Sequence, residues 1–503
     1  MRIYLINPPR IHPVSWGKPS VSQPLDIAYI ASVLEKDHEV RILDAPTEGW
    51  KNVKKIDEKR YRVGLEREQI AHKIKLWSPD IVGINIPFSG WSRTAFEVAS
   101  IAKEVDSSIL TVLDGVHPSA KPQECLLNPS VDFVIIGEAE NTWIELVNAL
   151  EKGEPLNNFK EIKGIGFKKS DEIKITPRRP LIMDLDSLPF PARHLLPMRT
   201  YFEAVKETPL RGEISKPWTT IVTSRGCPHS CIFCSAHLLR GRVWRGRSPE
   251  NVVREIEHVV SVYGVKQIDF HDDNLTLDQK RMEKICDLII DNGLDVEWYT
   301  PNGIRADTLN ENLLLKMKKS GCRRLYLAPE SGVQSVVNQI IKKKLDLKAV
   351  ERAVVVSRKM GIKVACFFII GIPGETKDDI EATIRFAYKL KKLGADKFYF
   401  SFAMPLYGTE LYEIAKIKGY LQNGFSDEAL SAVDPLIKTK EFTKADLLKL
   451  SAKANLVNPI VTSDKIKKAL RNPKSAVMTS IEIAKNFIMG KVQTNDFQHE
   501  KSS

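Results

Sequence analysis

Residues 225–235 read Arg225-Gly-Cys-Pro-His-Ser-Cys-Ile-Phe-Cys-Ser235, a run in which three cysteines are spaced CxxxCxxC. Structural zinc sites are usually closed by four ligands, and four-iron clusters normally take four cysteines. Thiolates from Cys227, Cys231 and Cys234 alone leave one iron of a [4Fe–4S] cluster open to another ligand. The alternatives are a zinc loop with a distant fourth ligand, or thiols that bind no metal.

The remaining cysteines and the chain start indicate the compartment. The other four of the seven cysteines lie singly within apolar stretches, so we expect them to be small buried hydrophobes: Cys125, Cys286, Cys322 and Cys366. The opening Met-Arg-Ile-Tyr-Leu-Ile-Asn is typical of a strand rather than a signal peptide. Apolar runs such as residues 365–370 are too short to span a bilayer. We therefore expect a cytoplasmic protein, in a reducing compartment that suits a thiolate-bound cluster.

The length and net charge of the chain limit its possible domain organisation and binding partners. The 503 residues allow two large domains and a smaller piece, and 43% hydrophobic content suffices for their cores. The net charge is +12, much of it from about Lys438 onward. A basic surface can bind nucleic acid, a membrane or an anionic substrate, and a solvated helical face explains the charge equally well.

The first 150 residues alternate strand and helix patterns. This rhythm predicts a doubly wound parallel sheet with ligands at the carboxyl ends of its strands. No GxGxxG follows the first strand, which argues against a dinucleotide site. The predicted strands are 2–7, 39–43, 81–87, 110–114 and 131–136, and the predicted helices are 24–36, 94–105 and 141–151.

A second strand–helix series follows a connector. Residues 155–212 are rich in prolines, which resist a continuous helix and favour an extended strap. Polar residues cluster just beyond the strands of the second series, where α/β barrels place their chemistry. The predicted strands are 219–223, 267–271, 296–300, 324–328, 364–369 and 397–403. We predict domains at 1–154, 213–420 and 421–503, the last basic and mainly helical.

The cysteine spacing, with Phe233 before the last cysteine, resembles the radical SAM enzymes, and the six units resemble their partial (β/α)6 TIM-type barrel. The resemblance implies that the open iron binds S-adenosylmethionine (SAM) and that one electron cleaves it to a 5′-deoxyadenosyl radical. It places Asp272 and Asp273 at the methionine amine, with helix capping as the alternative. The residues that it implies for SAM binding are Phe233, Glu330, Ser331, Gly371 and Pro373, and Glu330 and Asp272 are also candidate catalytic residues.

Loops of the first domain resemble the cobalamin-binding domain that precedes the barrel in many of these enzymes. They are Asn7-Pro-Pro, Gly115-Val-His-Pro and Gly137-Glu-Ala-Glu. The DxHxxG signature is absent, so we expect cobalamin without a histidine beneath cobalt. His117 either lies near the corrin or is a hydrogen-bonding loop histidine. The implied cobalamin-binding residues are Asn7, Pro8, Ser89, Gly115, His117 and Glu138.

The two domains together resemble the class B radical SAM methyltransferases. The resemblance implies that one SAM methylates cobalamin, a second yields the radical that takes hydrogen from the substrate, and methylcobalamin then methylates an unactivated carbon. Stretches such as Pro329-Glu-Ser-Gly-Val-Gln resemble the branch that acts on a cytidylylated phosphonate. We therefore predict a small anionic substrate, with Arg305 as the candidate catalytic residue that binds it. A structural ion pair is the alternative for Arg305.

The resemblance also implies partners and leaves other functions open. We expect an external electron donor such as ferredoxin or flavodoxin, no nucleic acid and no transmembrane segment. A cyclase of the same architecture, acting on porphyrins or lipids, fits the same motifs. A tRNA methylthiotransferase needs three further cysteines in its first domain, where this chain has only Cys125. A non-catalytic cobalamin sensor does not need an open iron.

Overall fold

The computed structural model describes residues 1–155, 157–169, 172–209 and 214–458. The first part of the chain forms a seven-stranded sheet. Five strands are parallel, and an antiparallel hairpin of two strands completes one edge. Helical crossovers connect the successive parallel strands, as predicted. The spatial order is Glu172–Ile175, Ile165–Lys169, Phe133–Ile135, Leu110–Asp114, Ile81–Asn85, Arg2–Asn7 and Glu39–Asp44.

Helices cover both faces of this sheet, which confirms the predicted doubly wound fold. Leu25–Leu34 and Glu140–Glu151 pack together on one face, over a core that includes Trp143. Arg67–Trp77 and Ser92–Val105 pack together on the other face. The central strands are buried on both faces, because a parallel sheet with crossover helices excludes water from each side.

The connector differs from the extended strap that the prolines predict. Its first part supplies the two antiparallel edge strands, because Phe167 packs against Phe159 and Phe133 with ring centroids 6.0 and 6.4 Å away. Its last part forms the helix Met198–Glu207, directly after Pro197, which suits a helix start but not its interior. The first sheet therefore extends to Ile175.

Three short strands and one helix also escaped prediction. Arg10–Pro13, Val53–Lys55 and Arg60–Val63 form a small antiparallel sheet. These strands carry many charged residues and lack a long apolar run. Helix Arg67–Trp77 buries only Ile70, Ile74 and Trp77. Such sparse apolar patterns give little signal in a single sequence.

The second half forms a six-stranded parallel sheet in sequential order, the partial barrel that the resemblance implies. Its strands are Trp218–Ile221, Gln267–Phe270, Glu297–Tyr299, Cys322–Glu330, Lys363–Ile370 and Lys397–Phe402. Five helices cover the outside: Pro249–Tyr263, Gln279–Asp291, Glu311–Lys319, Leu347–Lys359 and Lys377–Leu393. The first of these helices is capped by Ser248, whose hydroxyl accepts a hydrogen bond from Asn251 N.

The C-terminal region contacts both domains. Its described helices are Asp427–Leu430 and Lys444–Asn455, and the helix Glu410–Ile417 precedes them at the end of the barrel domain. Asn458 bonds both backbone groups of Phe398, at 2.9 and 2.8 Å, and so protects the edge strand of the barrel. Ser92 donates a hydrogen bond to Asp427, and Ser431 donates one to the carbonyl of Gly90. Most of the predicted basic stretch lies beyond residue 458, outside the described residues.

Across the described ranges, no helix is long and apolar enough to cross a bilayer.

We predict that Phe167→Ala lowers the free energy of unfolding by about 3–5 kcal/mol, because it removes a ring from the core of the first sheet. Urea unfolding followed by tryptophan fluorescence measures the change. Ile175→Ala is the matched control on the same hairpin, since Ile175 is 40% exposed, and it should change stability by less than about 0.5 kcal/mol. Equal small effects would mean that the hairpin is not part of the domain core.

Candidate active site

The three cysteines lie on one loop that two short strands close at its base. Ser224–Arg225 and Arg245–Gly246 pair antiparallel, and we call this pair the neck and residues 226–244 the cluster loop. Gly226 has φ +84°, and a Cβ there would lie 2.2 Å from the carbonyl oxygen of Val243. The close approach of the two sides of the loop therefore requires glycine at this position.

The cluster-loop cysteines differ from the other four in exposure. Cys227, Cys231 and Cys234 are partly exposed, whereas the other cysteines are buried, as predicted. Asn274 directs its amide to the Cys227 sulfur at 3.8 Å. Burial raises the pKa of the Cys234 thiol to about 11. Binding of iron would therefore supply the free energy that ionises this thiol.

The spacing of these side chains fits a cluster better than a single ion. Within the part of the chain that the structure describes, no three His, Cys, Asp or Glu side chains converge as the ligands of one ion do. Thiolates that bind three different irons of a cubane need not converge on one point. Cys227, Cys231 and Cys234 are therefore the residues that would hold a [4Fe–4S] cluster.

Buried ion pairs join the neck to the first domain. Arg225 donates to Glu140 at 2.6 Å and lies 3.3 Å from Glu138. Arg245 donates to both oxygens of Glu138, at 2.9 and 2.7 Å. All four side chains are nearly inaccessible to water. Burial opposes ionisation of Glu140, but Arg225 outweighs it and lowers the pKa of this carboxyl group.

This network changes the interpretation of Glu138, which the resemblance places among the cobalamin-binding residues. Its carboxylate accepts hydrogen bonds from Arg225, Arg245 and the backbone N–H of Ile182. It lines a narrow pocket of about 30 Å³, together with Gly115. The structure thus gives Glu138 a role in aligning the two domains, which the sequence could not indicate because its partners lie far along the chain.

Asp272 and Arg305, both candidate catalytic residues, are engaged in structural contacts. Asp272 is 2% exposed and accepts hydrogen bonds from the hydroxyls of Thr223 and Ser224. Arg305 donates to Asp307 and to the carbonyls of Lys343 and Lys344. These contacts favour the structural alternative for Arg305, because its guanidinium already has partners.

Asp273, next to Asp272, remains open to the cavity between the domains. It accepts a hydrogen bond from Gly226 N at 2.8 Å and also lines this cavity. It is therefore a better candidate than Asp272 for the methionine amine of SAM, because its carboxylate is both anchored and accessible.

The residues implied for SAM binding lie at two strand ends of the barrel. Glu330 ends its strand at φ +66° and forms a buried ion pair with Lys343 at 2.6 Å. Ser331 is fully buried and its hydroxyl bonds that of Thr383 at 3.0 Å, which is a structural contact. Phe233 packs against the apolar cluster that contains Ile370.

The Gly371 turn, which the resemblance implies for SAM binding, is covered on one side. A Cβ at Gly371 would lie 2.7 Å from the side chain of Leu447, in the C-terminal helix. Pro373 is buried beside it, and Glu375 accepts a hydrogen bond from Gly371 N at 2.8 Å. Burial raises the pKa of Glu375 to about 8. The glycine thus permits both the left-handed backbone and the close approach of a helix.

A cavity of about 360 Å³ lies between the carboxyl ends of the two sheets. The first domain contributes polar groups from Asn7, Arg10 and Asn85, and the barrel contributes His271 and Asp273. Apolar walls come from Leu25, Trp91, Val116, Val222 and Leu239. This mixture suits the cobalamin corrin, whose apolar ring carries amide side chains, so the residues present fit this cofactor.

Of the predicted cobalamin-binding residues only Asn7 lines the cavity; Gly115 and Glu138 line the narrow pocket, and the other three lie elsewhere. Pro8 and Ser89 are buried within the first domain. His117 is buried between the rings of Phe96 and Tyr407, and its Nε2 is 3.7 Å from Asp427. Burial lowers the pKa of this imidazole. The absence of a histidine ligand beneath cobalt stays a prediction.

Asn85 and Arg10 line the cavity but were not predicted. The apolar run of residues 81–87 concealed Asn85, because the predicted strand continued past it, whereas the strand ends at Asn85. Arg10 follows Asn7-Pro-Pro and was missed because it begins a short unpredicted strand. Their position directly after the first-domain strands was the available signal.

Sequence comparison matches residues 221–387 to the Radical SAM superfamily and residues 19–147 to the B12 binding domain. An uncharacterized methyltransferase of Pyrococcus horikoshii is 36% identical over 458 residues, which cover 90% of this chain and 91% of that protein. The cytidylyl-2-hydroxyethylphosphonate methyltransferase of Streptomyces wedmorensis is 31% identical over 442 residues, which cover 81% of this chain and 80% of that enzyme.

The fold is also that of a solved structure at low sequence identity. The cobalamin-dependent S-adenosylmethionine radical enzyme OxsB, with aqua-cobalamin and S-adenosylmethionine bound, aligns with a TM-score of 0.69 and 18% identity. The alignment covers 100% of this chain and 75% of that chain.

The paired domains and the three-cysteine loop define a cobalamin-dependent radical SAM enzyme. The chain belongs to the family of cobalamin-dependent radical SAM methyltransferases. Its cofactors are a [4Fe–4S] cluster, SAM and cobalamin, which confirms that prediction.

We predict that replacing Cys227, Cys231 and Cys234 together by Ala abolishes iron–sulfur absorbance and SAM cleavage, since each thiolate binds one iron. Anaerobic reconstitution followed by spectroscopy and assay of 5′-deoxyadenosine measures both. Cys286→Ala is the control, because Cys286 is buried in the barrel core and should leave both signals unchanged. A triple variant that still held a cluster and cleaved SAM would place the site elsewhere.

We predict that Glu138→Ala lowers the free energy of unfolding by about 3–5 kcal/mol, because the buried Arg245 loses its carboxylate partner. Urea denaturation measures this. Glu145→Ala is the control, since its pair with Arg179 lies at the surface and contributes less than about 1 kcal/mol. Unchanged stability together with weaker cobalamin binding would instead favour direct contact between Glu138 and the cofactor.

Proposed function

We propose that this enzyme transfers a methyl group from SAM, by way of cobalamin, to an unactivated carbon of a small anionic substrate. We infer that the substrate is anionic because Arg10, a cation, lies in the wall of the interdomain cavity. We further propose that an external one-electron donor such as flavodoxin or ferredoxin serves the cluster, in a reducing cytoplasm.

Arg10 is held in place by neutral groups. It donates to the Ser22 hydroxyl at 2.7 Å and to the Ser20 carbonyl at 3.3 Å, and its guanidinium lies 4.8 Å from the centre of the Trp91 ring. No carboxylate of the described residues forms an ion pair with it, and its Nε has no hydrogen-bond partner there. Burial lowers the pKa of Arg10. A bound anion would offset this cost by pairing with the guanidinium at the cavity wall.

A second arginine borders the same cavity. Arg240 lies 3.2 Å from Asp26, which is partly exposed, and both side chains line the cavity. Charges around Arg240 favour its protonated form despite burial, and the pKa is raised. The cavity thus has two cations in its wall, Arg10 from the first domain and Arg240 from the cluster loop, which supports binding of a phosphate, phosphonate or carboxylate.

The chain fixes the distance between the two walls of the cavity. Gln23 donates to the carbonyl of Trp218 at 3.0 Å and accepts from the Thr219 hydroxyl at 2.6 Å. These bonds hold the first domain against the first barrel strand. When bound, the cofactors supply the radical that abstracts hydrogen and the methyl group that replaces it. The residues themselves orient the substrate between the cofactors and exclude water from the radical.

A relative supports the same class of substrate. The Streptomyces wedmorensis enzyme is named for cytidylyl-2-hydroxyethylphosphonate, an anion that carries phosphorus groups. Its identity of 31% to this chain supports a similar chemical class and leaves the particular molecule open.

The test is anaerobic turnover of the reconstituted enzyme with SAM and cytidylyl-2-hydroxyethylphosphonate as the probe, beside a panel of neutral lipids and porphyrins. We expect 5′-deoxyadenosine and S-adenosylhomocysteine to form together with the anionic probe. 5′-Deoxyadenosine without S-adenosylhomocysteine would contradict methyl transfer and favour a cyclase.

With the substrate that turns over, Arg10→Gln should raise KM about 10–100-fold, because a charge-assisted hydrogen bond contributes about 1.5–3 kcal/mol. Arg93→Gln is the control, since Arg93 is exposed and does not line the cavity. An unchanged KM in Arg10→Gln would contradict the anionic substrate, while leaving methyl transfer intact.

A further inference from the structure

Two asparagine–aspartate pairs end neighbouring strands of the first sheet. The Asn7 amide donates to Asp44 Oδ1 at 2.6 Å, and the Asn85 amide donates to Asp114 Oδ1. The strand register places each asparagine directly beside its aspartate. The two asparagines lie side by side, because their own strands are adjacent and parallel.

The aspartates fix the orientation of the amides. A carboxylate only accepts hydrogen bonds, so each asparagine must turn its NH2 group to the aspartate and its carbonyl oxygen away. The second oxygen of Asp114 accepts from the indole N–H of Trp143 at 2.9 Å, and that of Asp44 accepts from the Tyr201 hydroxyl. Both aspartates are buried, so they cannot reorient.

The two free carbonyl oxygens belong to side chains that line the interdomain cavity. Asn7 and Asn85 both contribute to its wall. Neither carbonyl oxygen has a hydrogen-bond partner among the described residues. The cavity therefore presents two adjacent, rigid acceptors at the strand ends. Such acceptors match NH2 donors and repel carboxylates.

We propose that Asp44 and Asp114 are positioning residues for cobalamin, which hold Asn7 and Asn85 as fixed acceptors for amide NH2 groups at the corrin periphery. The aspartates act through the asparagines and do not touch the cofactor. This inference rests on cobalamin binding alone and is independent of the substrate and of methyl transfer.

Asp114 offers the cleaner test, because the Trp143 indole only donates, whereas the Tyr201 hydroxyl can donate or accept. In Asp114→Asn, the indole N–H takes the new carbonyl oxygen, and the new NH2 group faces Asn85. Asn85 must then turn its own oxygen inward and present NH2 to the cavity. Asn85 thus presents a hydrogen-bond donor to the cavity in place of an acceptor, and the side-chain volumes hardly change.

The measurement is equilibrium binding of hydroxocobalamin to the full chain, followed by absorbance at pH 8, above the pKa of about 7 of the buried Asp114. Asp114→Asn should raise Kd at least about tenfold. The exchange variant, Asn85→Asp with Asp114→Asn, should restore the wild-type Kd, because the carboxylate at position 85 again offers an oxygen to the cavity. Asp132→Asn makes the same charge change at the amino-terminal ends of these strands, opposite the cavity, and serves as the control.

A second probe separates positioning from packing. In the b-, d- and e-monocarboxylic acids of cobalamin, one donor amide is replaced by an acceptor. The wild-type protein should bind at least one of them more weakly than hydroxocobalamin, and Asp114→Asn should reduce or reverse that preference. An unchanged Kd in Asp114→Asn would overturn the proposal, as would weaker binding without recovery in a folded exchange variant. If the exchange variant does not fold, an unchanged preference in Asp114→Asn overturns it.

Discussion

The buried charges between Gly137-Glu-Ala-Glu and the neck determine how the two domains meet. Arg225 and Arg245 close the loop that carries the cysteines, and Glu138 and Glu140 bind them from the first domain. A buried charge cannot leave its partner without a large desolvation penalty. The cysteine loop and the carboxyl ends of the first sheet are therefore held as one unit. An enzyme that passes a radical and a methyl group through one cavity needs this alignment.

Glycine and small polar contacts bring the remaining parts to the same place. Gly226 lets the two sides of the cluster loop meet, and Gly371 lets the helix of Leu447 approach the barrel mouth. Gln23 bonds the first barrel strand to the first domain. In each case a side chain far along the chain occupies space beside a strand end. Packing between domains thus constrains the site as closely as the chemistry of its ligands does.

The sequence predicts the strands and the burial of the four scattered cysteines well, because both depend on local patterns. Arg2–Asn7 and Leu110–Asp114 begin and end where the apolar runs predict. The roles of Glu138 and Arg305 could not be predicted, since their partners are set by tertiary contacts that spacing does not reveal. Asn85 was hidden because Ile86 and Pro87 continue its apolar run. Residue type indicated a polar cavity, but only the fold shows which polar groups are already paired.

The contact between Ser431 and Gly90 joins residues at opposite ends of the chain. A ribosome makes the first domain and the barrel before it reaches Asp427. The turn Ser89–Trp91 stays uncovered until then, and Trp91 belongs to the cavity wall. The order of synthesis therefore completes this wall last. A newly made chain passes through a stage in which the cavity between its two domains has one open side.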